Sequence, residues 1–334
     1  MKILITSIGG TLIPPLVKFL KQDPQLPNLY IVGIDKRKKI ERNKYLNKFY
    51  SIKTNDDQIY LKNLLKICKN EKIELVIPWS DKEAILLSKF KKKFIKKKIK
   101  VLVNNFSVIK RITNKFLTYE SLKKAKIRTP NYLLVKNKYQ LKKALNKFDY
   151  PRKGVVLKPV SSRGGRGVKV LQGKNLKSEK WIGCGKREQI IKINDFFISE
   201  SLFKYGKLIV MDILKSPAFD VDSFYYKNSG ILAIRKRINP SGIPYKGNFI
   251  LNDKKIKQYC KKISKVLNLK YLTDIDLLYD QDNKIVLLEV NPRPSGSIAT
   301  AYPAKIPIFS YAIAKTLNKN YKMPSPKFNI KVRL

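Results

Sequence analysis

The chain has 334 residues, 43% of them apolar, and carries 72 basic against 24 acidic residues, a formal charge of +48 with no histidine. That length and composition suggest about two globular domains, and no stretch approaches the roughly 18 consecutive apolar residues of a membrane span. The absence of histidine removes His-based triads, His general bases and His-completed zinc sites, so any chemistry must run on carboxylates, Lys, Arg, Asn, Ser and a bound metal.

In chain order, MKILITSIGG turns from a short apolar run into Gly-Gly without a small-residue cleavage site, and it reads as a first strand rather than a signal peptide. The expected compartment is therefore the cytoplasm. Leu12–Leu20 has helical spacing, Tyr30–Asp35 (YIVGID) is a second strand ending on an acid, Ile73–Pro78 (IELVIP) a third and Val101–Val103 a fourth. Alternating strand and helix patterns with apolar strands predict a parallel sheet covered by helices. In KFKKKFIKKKIK, Lys89–Lys100, the apolar Phe90, Phe94, Ile95 and Ile99 fall mostly on one side of a helix, predicting a solvated helix face. Asn114–Ala125 reads as a helix, broken by Ile127–Pro130 (IRTP), since proline disfavours helix in the residue before it. Strand Tyr132 onward, helix Gln140–Lys147 and strand Val155–Lys158 follow, then Phe219–Tyr226, Gly230–Arg237, Leu272–Tyr279 and Lys284–Val290 as longer strands. Strand runs mixed with helices predict an α+β second part. The division expected is an α/β domain over 1–113 and a second domain over 114–334.

Three readings of the charge stand: nucleic-acid binding, an anionic substrate, or drift toward Lys, Ile and Asn. The excess is spread along the whole chain and no nucleic-acid motif accompanies it, so drift, with an anionic substrate adding to it, is preferred and nucleic acid disfavoured as a partner. Cys68, Cys184 and Cys260 are sparse and far apart, as reduced, incidental thiols would be.

Two features carry chemistry. In Leu157–Val168 (LKPVSSRGGRGV) a strand presents Lys158 to a loop holding Ser161, Ser162, Gly164, Gly165 and Gly167, with Arg163 and Arg166 adding charge. Such a loop can close over phosphates with its N–H groups inward, although it is no Walker A motif and an ordinary Gly-rich hairpin reads similarly. Further on, Asp276 lies in an apolar strand, and the turn Asp280–Asn283 returns the chain so that Glu289, with Asn291 two residues later on the same side, comes near it. Two carboxylates and an amide oxygen are hard ligands that suit Mg²⁺ shared with phosphates, and Arg293 is placed to hold a phosphoryl group. After the first strand, SIGGTL is not G-x-G-x-x-G, and Asp35 alone does not make a dinucleotide site.

With KPVSSRGGRGV, MDIL and EVNPRPSG in this order, the chain resembles the ATP-grasp superfamily, in the branch of biotin carboxylase and the carbamoyl-phosphate synthase large subunit, over roughly Lys115 to Ser297. The resemblance implies an N-terminal parallel α/β domain followed by an ATP-grasp fold with a lid subdomain near 130–210. It implies ATP and Mg²⁺, or Mn²⁺, as cofactors, with Lys115 and Lys158 on the ATP phosphates and Ser161–Gly167 as the lid loop. Met211, Asp212, Ile213 and Leu214 would be the hinge that reads adenine. Asp276, Glu289 and Asn291 would be the Mg²⁺ ligands, Arg293 would stand near the reacting phosphate, and Arg235 and Arg237 would lie on a strand that commonly faces the site. The hinge acid is usually Glu, so Glu200 competes with Asp212, and Ala218 stands where many members carry another acid. Gly9-Gly10 and Trp79, Ser80 and Asp81 can help form an acceptor pocket or be a turn and a helix cap. The implied activity is an ADP-forming carboxylate-amine ligase that takes small-molecule carboxylate and amine substrates through an acyl phosphate, with a homodimer left open. Carboxylation or phosphotransfer on the same fold, and nucleotide or nucleic-acid binding without catalysis, are the alternatives.

Overall fold

The computed structural model describes residues 1–38, 44–162, 166–174, 189–191, 203, 206–227, 229–238 and 247–334, with the backbone alone for 189–191 and 229. Strands β1 (Lys2–Ile5), β2 (Tyr30–Asp35), β3 (Lys48–Ser51), β4 (Leu75–Ile77) and β5 (Lys100–Val101) form a parallel sheet in the order β3-β2-β1-β4-β5. Helices α1 (Ile13–Gln22), α2 (Asp57–Asn70) and α3 (Asp81–Lys89) follow β1, β3 and β4. With both faces covered, Ile3, Leu4, Ile5, Leu75, Val76 and Ile77 are fully buried, which is why these strands read as unbroken apolar runs. Prolines in the first turn of α1 remove only N–H groups that have no intrahelical partner. Asp56 and Ser80 cap α2 and α3 through their side chains.

The lysine-rich run departs from expectation. It is not one helix face: α3 ends at Lys89, a short α4 (Lys91–Ile95) follows, Lys98 takes a positive φ of 59°, and β5 begins at Lys100. Phe94 and Ile99 are buried, whereas Ile95 is 58% exposed. The left-handed residue turns the chain back into the sheet, so helical spacing fails after one turn.

Helices α5 (Phe106–Ile112) and α6 (Lys115–Lys124) lead to a second sheet of β6 (Tyr132–Val135), β7 (Val155–Pro159), β8 (Lys169–Leu171), β9 (Gln189–Ile191) and β10 (Leu208–Asp212), ordered β6-β10-β7-β8-β9. Helix α7 (Lys138–Lys147) buries Leu141, Ala144 and Leu145 in a core shared with Val155, Leu157 and Val210. The third sheet is antiparallel, with β11 (Lys215–Tyr226), β12 (Ser229–Arg237), β13 (Asn248–Leu251), β14 (Tyr271–Tyr279), β15 (Ile285–Asn291) and β16 (Ile330–Val332) in the order β15-β14-β11-β12-β13-β16. Helices α8 (Lys254–Leu267) and α9 (Ile308–Thr316) complete this part. The architecture is the expected one, a parallel α/β layer followed by antiparallel sheets with helices. Among the described residues no helix is long and apolar enough to cross a membrane.

Candidate active site on the large antiparallel sheet

The site begins with strand periodicity. In β11 the run FDVD puts Phe219 and Val221 in the core and Asp220 and Asp222 on the opposite side, and in β14 the run DID does the same with Asp274 and Asp276 about Ile275. The register pairs Asp220 with Asp276 and Asp222 with Asp274, so four carboxylates share one side of two neighbouring strands. The turn after β14 closes with Asp280 N–H donating to the Lys284 carbonyl (2.9 Å), while the Asp280 side chain accepts from the N–H groups of Asp282 and Lys284.

The returning strand carries a bulge. Leu277 pairs with Leu287, but Asp276 pairs with Glu289, so Leu288 is the extra residue. In an unbulged strand Glu289 would share the side of Leu287, which is fully buried in the core. The bulge reverses the phase and turns Glu289 and Asn291 toward Asp276 and Asp274. It also frees the Leu288 carbonyl, which accepts a bond from the buried Tyr119 hydroxyl (2.6 Å).

Cations gather on this acidic side. Lys115 Nζ stands 3.0 Å from Glu289 Oε2, and its backbone N–H donates to the Val160 carbonyl at the start of the Gly-rich loop. Burial works against an ionised Glu289, but Lys115, Lys158 and Arg293 outweigh it and hold the carboxyl below its ordinary range. Arg237 Nε donates to both oxygens of Asp220 (3.0 Å each), and its Nη2 donates to Asp276 (3.0 Å). Burial opposes the Asp220 charge too, but Arg237 prevails and keeps it well below the usual carboxylate range. Burial together with the carboxylates of Asp220 and Asp222 pushes Asp274 up to about 7, and burial and Asp274 push Asp276 upward. Arg293 Nε reaches Asp81 Oδ1 (3.0 Å) and its Nη1 reaches Asp274 Oδ2 (3.3 Å), so it ties the first sheet's α3 to the acidic patch.

The donor set fits a divalent cation. One oxygen from each of Asp220, Asp274 and Asp276 lies within 4.8 Å of the others. Asp274 Oδ1 is buried without a hydrogen-bond partner among the described residues. Asn291 donates its amide nitrogen to Asp274 (3.2 Å) and Asp276 (3.1 Å), which leaves its carbonyl oxygen to face away from them. All of these are hard oxygen ligands.

Other expected residues are placed as follows. Lys158 is buried in β7, and its charge acts on Glu289. Ser161 is exposed, the Ser162 carbonyl accepts from Lys115 Nζ (3.4 Å), and Gly167 has the positive φ (73°) that only glycine adopts easily. Arg163, Gly164, Gly165, Glu200 and Cys184 lie outside the described residues. Met211 is buried at the end of β10 among Val156 and Val168, with Ile213 and Leu214 packed against the same core. The Asp212 carboxylate instead accepts from Asn131 Nδ2 (2.8 Å) and lines a cleft of about 900 Å³ with Arg128, Lys153 and Asp280. Gln281 donates to the Ile213 carbonyl. Arg235 is fully buried, where it donates to Asp222, Ser295 and Ser297 and so fastens the loop that carries Arg293. Ser80 is a helix cap. Asp35 is saturated by Gly9 N–H and by Arg37, whose guanidinium covers Gly9 where a dinucleotide's pyrophosphate would pass.

Sequence reasoning singled out Asp276 but passed over Asp220 and Asp274. The signal was there: D-x-D in two strand-like runs puts both acids of each run on one side, in a chain where acids are scarce.

This three-sheet arrangement, with acids on an antiparallel sheet facing lysines from a helix start and a neighbouring strand, is the ATP-grasp fold. Residues 204–334 match the family described as ATP-grasp in the biosynthetic pathway with Ter operon, and residues 3–102 match the PylC-like N-terminal domain. The carbamoyl phosphate synthase large chain of Clostridium acetobutylicum is 24% identical over 280 residues, covering 80% of this chain and 24% of that one. The chain spans less than half the length of the curated relatives it matches. In the solved structures, N5-carboxyaminoimidazole synthetase from Staphylococcus aureus complexed with ADP aligns at a TM-score of 0.69, with 16% identity over 96% of this chain and 78% of that one. The biotin carboxylase domain of 2-oxoglutarate carboxylase from Hydrogenobacter thermophilus, in complex with MgADP and bicarbonate, aligns at 0.72, with 16% identity over 99% and 73%. Residues 204–334 thus match an ATP-grasp family, and with the PylC-like match, the carbamoyl phosphate synthase relative and the shared fold of the carboxylase structures this supports the ATP-grasp branch of the carbamoyl phosphate synthase large chain and biotin carboxylase.

Proposed function

We propose that the chain is an ADP-forming ligase that uses Mg-ATP to activate a carboxylate as an acyl phosphate and passes the acyl group to an amine or similar nucleophile. The observation that carries this reading is the convergence of Lys115, Lys158 and Arg293 on Glu289 beside Asp276 and Asn291. Bound Mg-ATP would supply the transferable phosphoryl group and part of the charge neutralisation. Asp276, Glu289 and the Asn291 carbonyl oxygen would hold the cation, and Mn²⁺ would fit the same oxygens. Lys115, Lys158 and Arg293 would stabilise charge on the transferred phosphoryl group, and Arg237 would keep Asp220 and Asp276 in place. Ser161, Ser162, Gly164, Gly165 and Gly167 would cover the phosphates. Met211, Ile213 and Leu214 would form the apolar wall and backbone edge for adenine, with Asp212 beside it. On this reading residues 1–113 and 114–334 are the two domains, and the second sheet, about 130–210, is the lid.

Attack of the carboxylate oxygen on the terminal phosphorus breaks its bond to ADP. The amine then attacks the acyl carbon, phosphate leaves, and the ammonium proton passes to solvent. Turnover of Mg-ATP against pools of carboxylic acids and amines tests this: ADP and phosphate released only when both are present supports the ligase, whereas AMP or acceptor-independent turnover rejects it. Carboxylation is the second reading, favoured by the fold's likeness to a carboxyaminoimidazole synthetase and to a carboxylase domain solved with bicarbonate. ADP release that requires bicarbonate in place of the acid pool would decide for it.

A further inference from the structure

We propose that the first domain holds a second small-molecule site, for a free amino acid, in the cavity of about 600 Å³ at the carboxyl ends of β1, β2 and β4. Ligands of open parallel sheets collect outside these strand ends, and besides Lys36 and the Lys82–Asp57 ion pair (3.5 Å) the lining holds two opposite charges, each fixed in advance. The first is Arg37. Its Nε and Nη2 are locked onto Asp35 (3.0 and 3.3 Å), yet its side chain is 53% exposed, so the guanidinium is fixed without being enclosed, next to the exposed Lys36. A planar guanidinium held this way is pre-organised for a carboxylate.

The second is Glu83. Its Oε2 accepts from the hydroxyls of Thr6 (2.6 Å), Ser7 (2.7 Å) and Ser80 (2.7 Å), and its Oε1 accepts from the Tyr60 hydroxyl (2.7 Å). Every donor is neutral, and among the described residues Glu83 makes no ion pair although the chain carries 72 basic residues. Each hydroxyl that gives its proton to Glu83 keeps lone pairs. Ser7, Ser80 and Glu83 all line the cavity and together offer the several oxygen acceptors an ammonium group requires. Ile34, Ile52 and Leu86 supply an apolar wall for a side chain. The Arg37 lock needs Gly9, because a Cβ there would overlap the guanidinium. The site is built from residues outside the acidic patch and does not rest on the ligase reading.

Calorimetric titration of the ATP-free protein with each proteinogenic amino acid is the test, with ADP titration and melting temperature as controls for folding. The expected result is saturable binding of one amino acid or a related group, weakened about tenfold or more in both Glu83→Gln and Arg37→Leu, with ADP affinity unchanged. Binding of none at millimolar concentration by a folded protein overturns the proposal, as does binding that survives both substitutions. If Glu83→Gln fails to fold, Arg37→Leu and Lys36→Leu, on the exposed rim, decide it alone.

Discussion

The buried pair Arg235–Asp222 gives the sharpest quantitative expectation. Both side chains are fully buried. Replacing Arg235 by Met leaves the Asp222 side chain with only the N–H and hydroxyl of Ser295 as partners among the described residues, and its charge uncompensated. Removing one member of a buried pair costs about 3–5 kcal/mol. At an unfolding entropy of ~2.1 cal/mol/K per residue the 334-residue chain has about 0.7 kcal/mol/K, so the melting temperature should fall by roughly 4–7 °C. Changing Asp222 to Leu as well removes the stranded charge, and the double variant should regain most of the loss, since apolar replacement of both partners is often neutral. Calorimetric melting of the two single variants and the double one closes the cycle. The reasoning is refuted if Arg235→Met melts within a degree of the parent, or if the double variant melts below both singles. Because Arg235 also fastens Ser295 and Ser297, the double variant should stay well folded yet turn over slowly, its loss falling on kcat through a misplaced Arg293.

Other expectations follow from named contacts. Glu289→Ala should abolish ATP turnover while leaving the fold intact by circular dichroism, because it leaves Lys115 without its carboxylate and removes a proposed ligand; an active variant would sink the metal assignment. Deleting Leu288, the extra residue, should leave Leu287 and Glu289 opposite Leu277 and Asp276 in a regular ladder, so Glu289 keeps its side; the buried Tyr119 hydroxyl loses its acceptor, so stability should drop while turnover survives far better than in Glu289→Ala, read by melting and by ADP release. Phe94→Ala, at a fully buried ring, should cost about 3–5 kcal/mol in denaturant unfolding. Burial, helped by nearby Lys270, lowers Lys91 to about 8 from the 10.5 of an unburied lysine. The unfolded chain binds the extra proton between those values, so this site penalises the fold fully below pH 8 and less as pH rises toward 10.5. Lys91→Met should therefore gain stability relative to the parent most at pH 7 and progressively less in alkaline buffer; a constant gap would refute the shift.

Much of the site was legible before any tertiary structure. Asp280–Asn283 announced a turn through residues that favour reversal, and the apolar runs on either side could only be paired strands, so Asp276, Glu289 and Asn291 had to be neighbours. The parallel sheet was readable because strands buried on both faces carry unbroken apolar runs. Helical spacing misled in the lysine-rich run, where a left-handed Lys98 ends a one-turn helix that no proline or glycine announces.

What only the folded chain decided is phase and partnership across long sequence distances. Residue spacing alone would have placed Glu289 with Leu287 on the core side, and the extra residue Leu288, held by Tyr119 from 169 positions earlier, turns it toward the acids. Arg235 and Arg237 are two positions apart on one strand. Yet one is buried with Asp222 beneath the loop of Arg293, and the other sits on Asp220 and Asp276 at the site. Local sequence sets which side of a strand a residue takes, because that depends on a period of two. Which strand lies opposite, where a bulge slips the register and which cation meets which acid depend on packing among distant segments, and no local pattern encodes them.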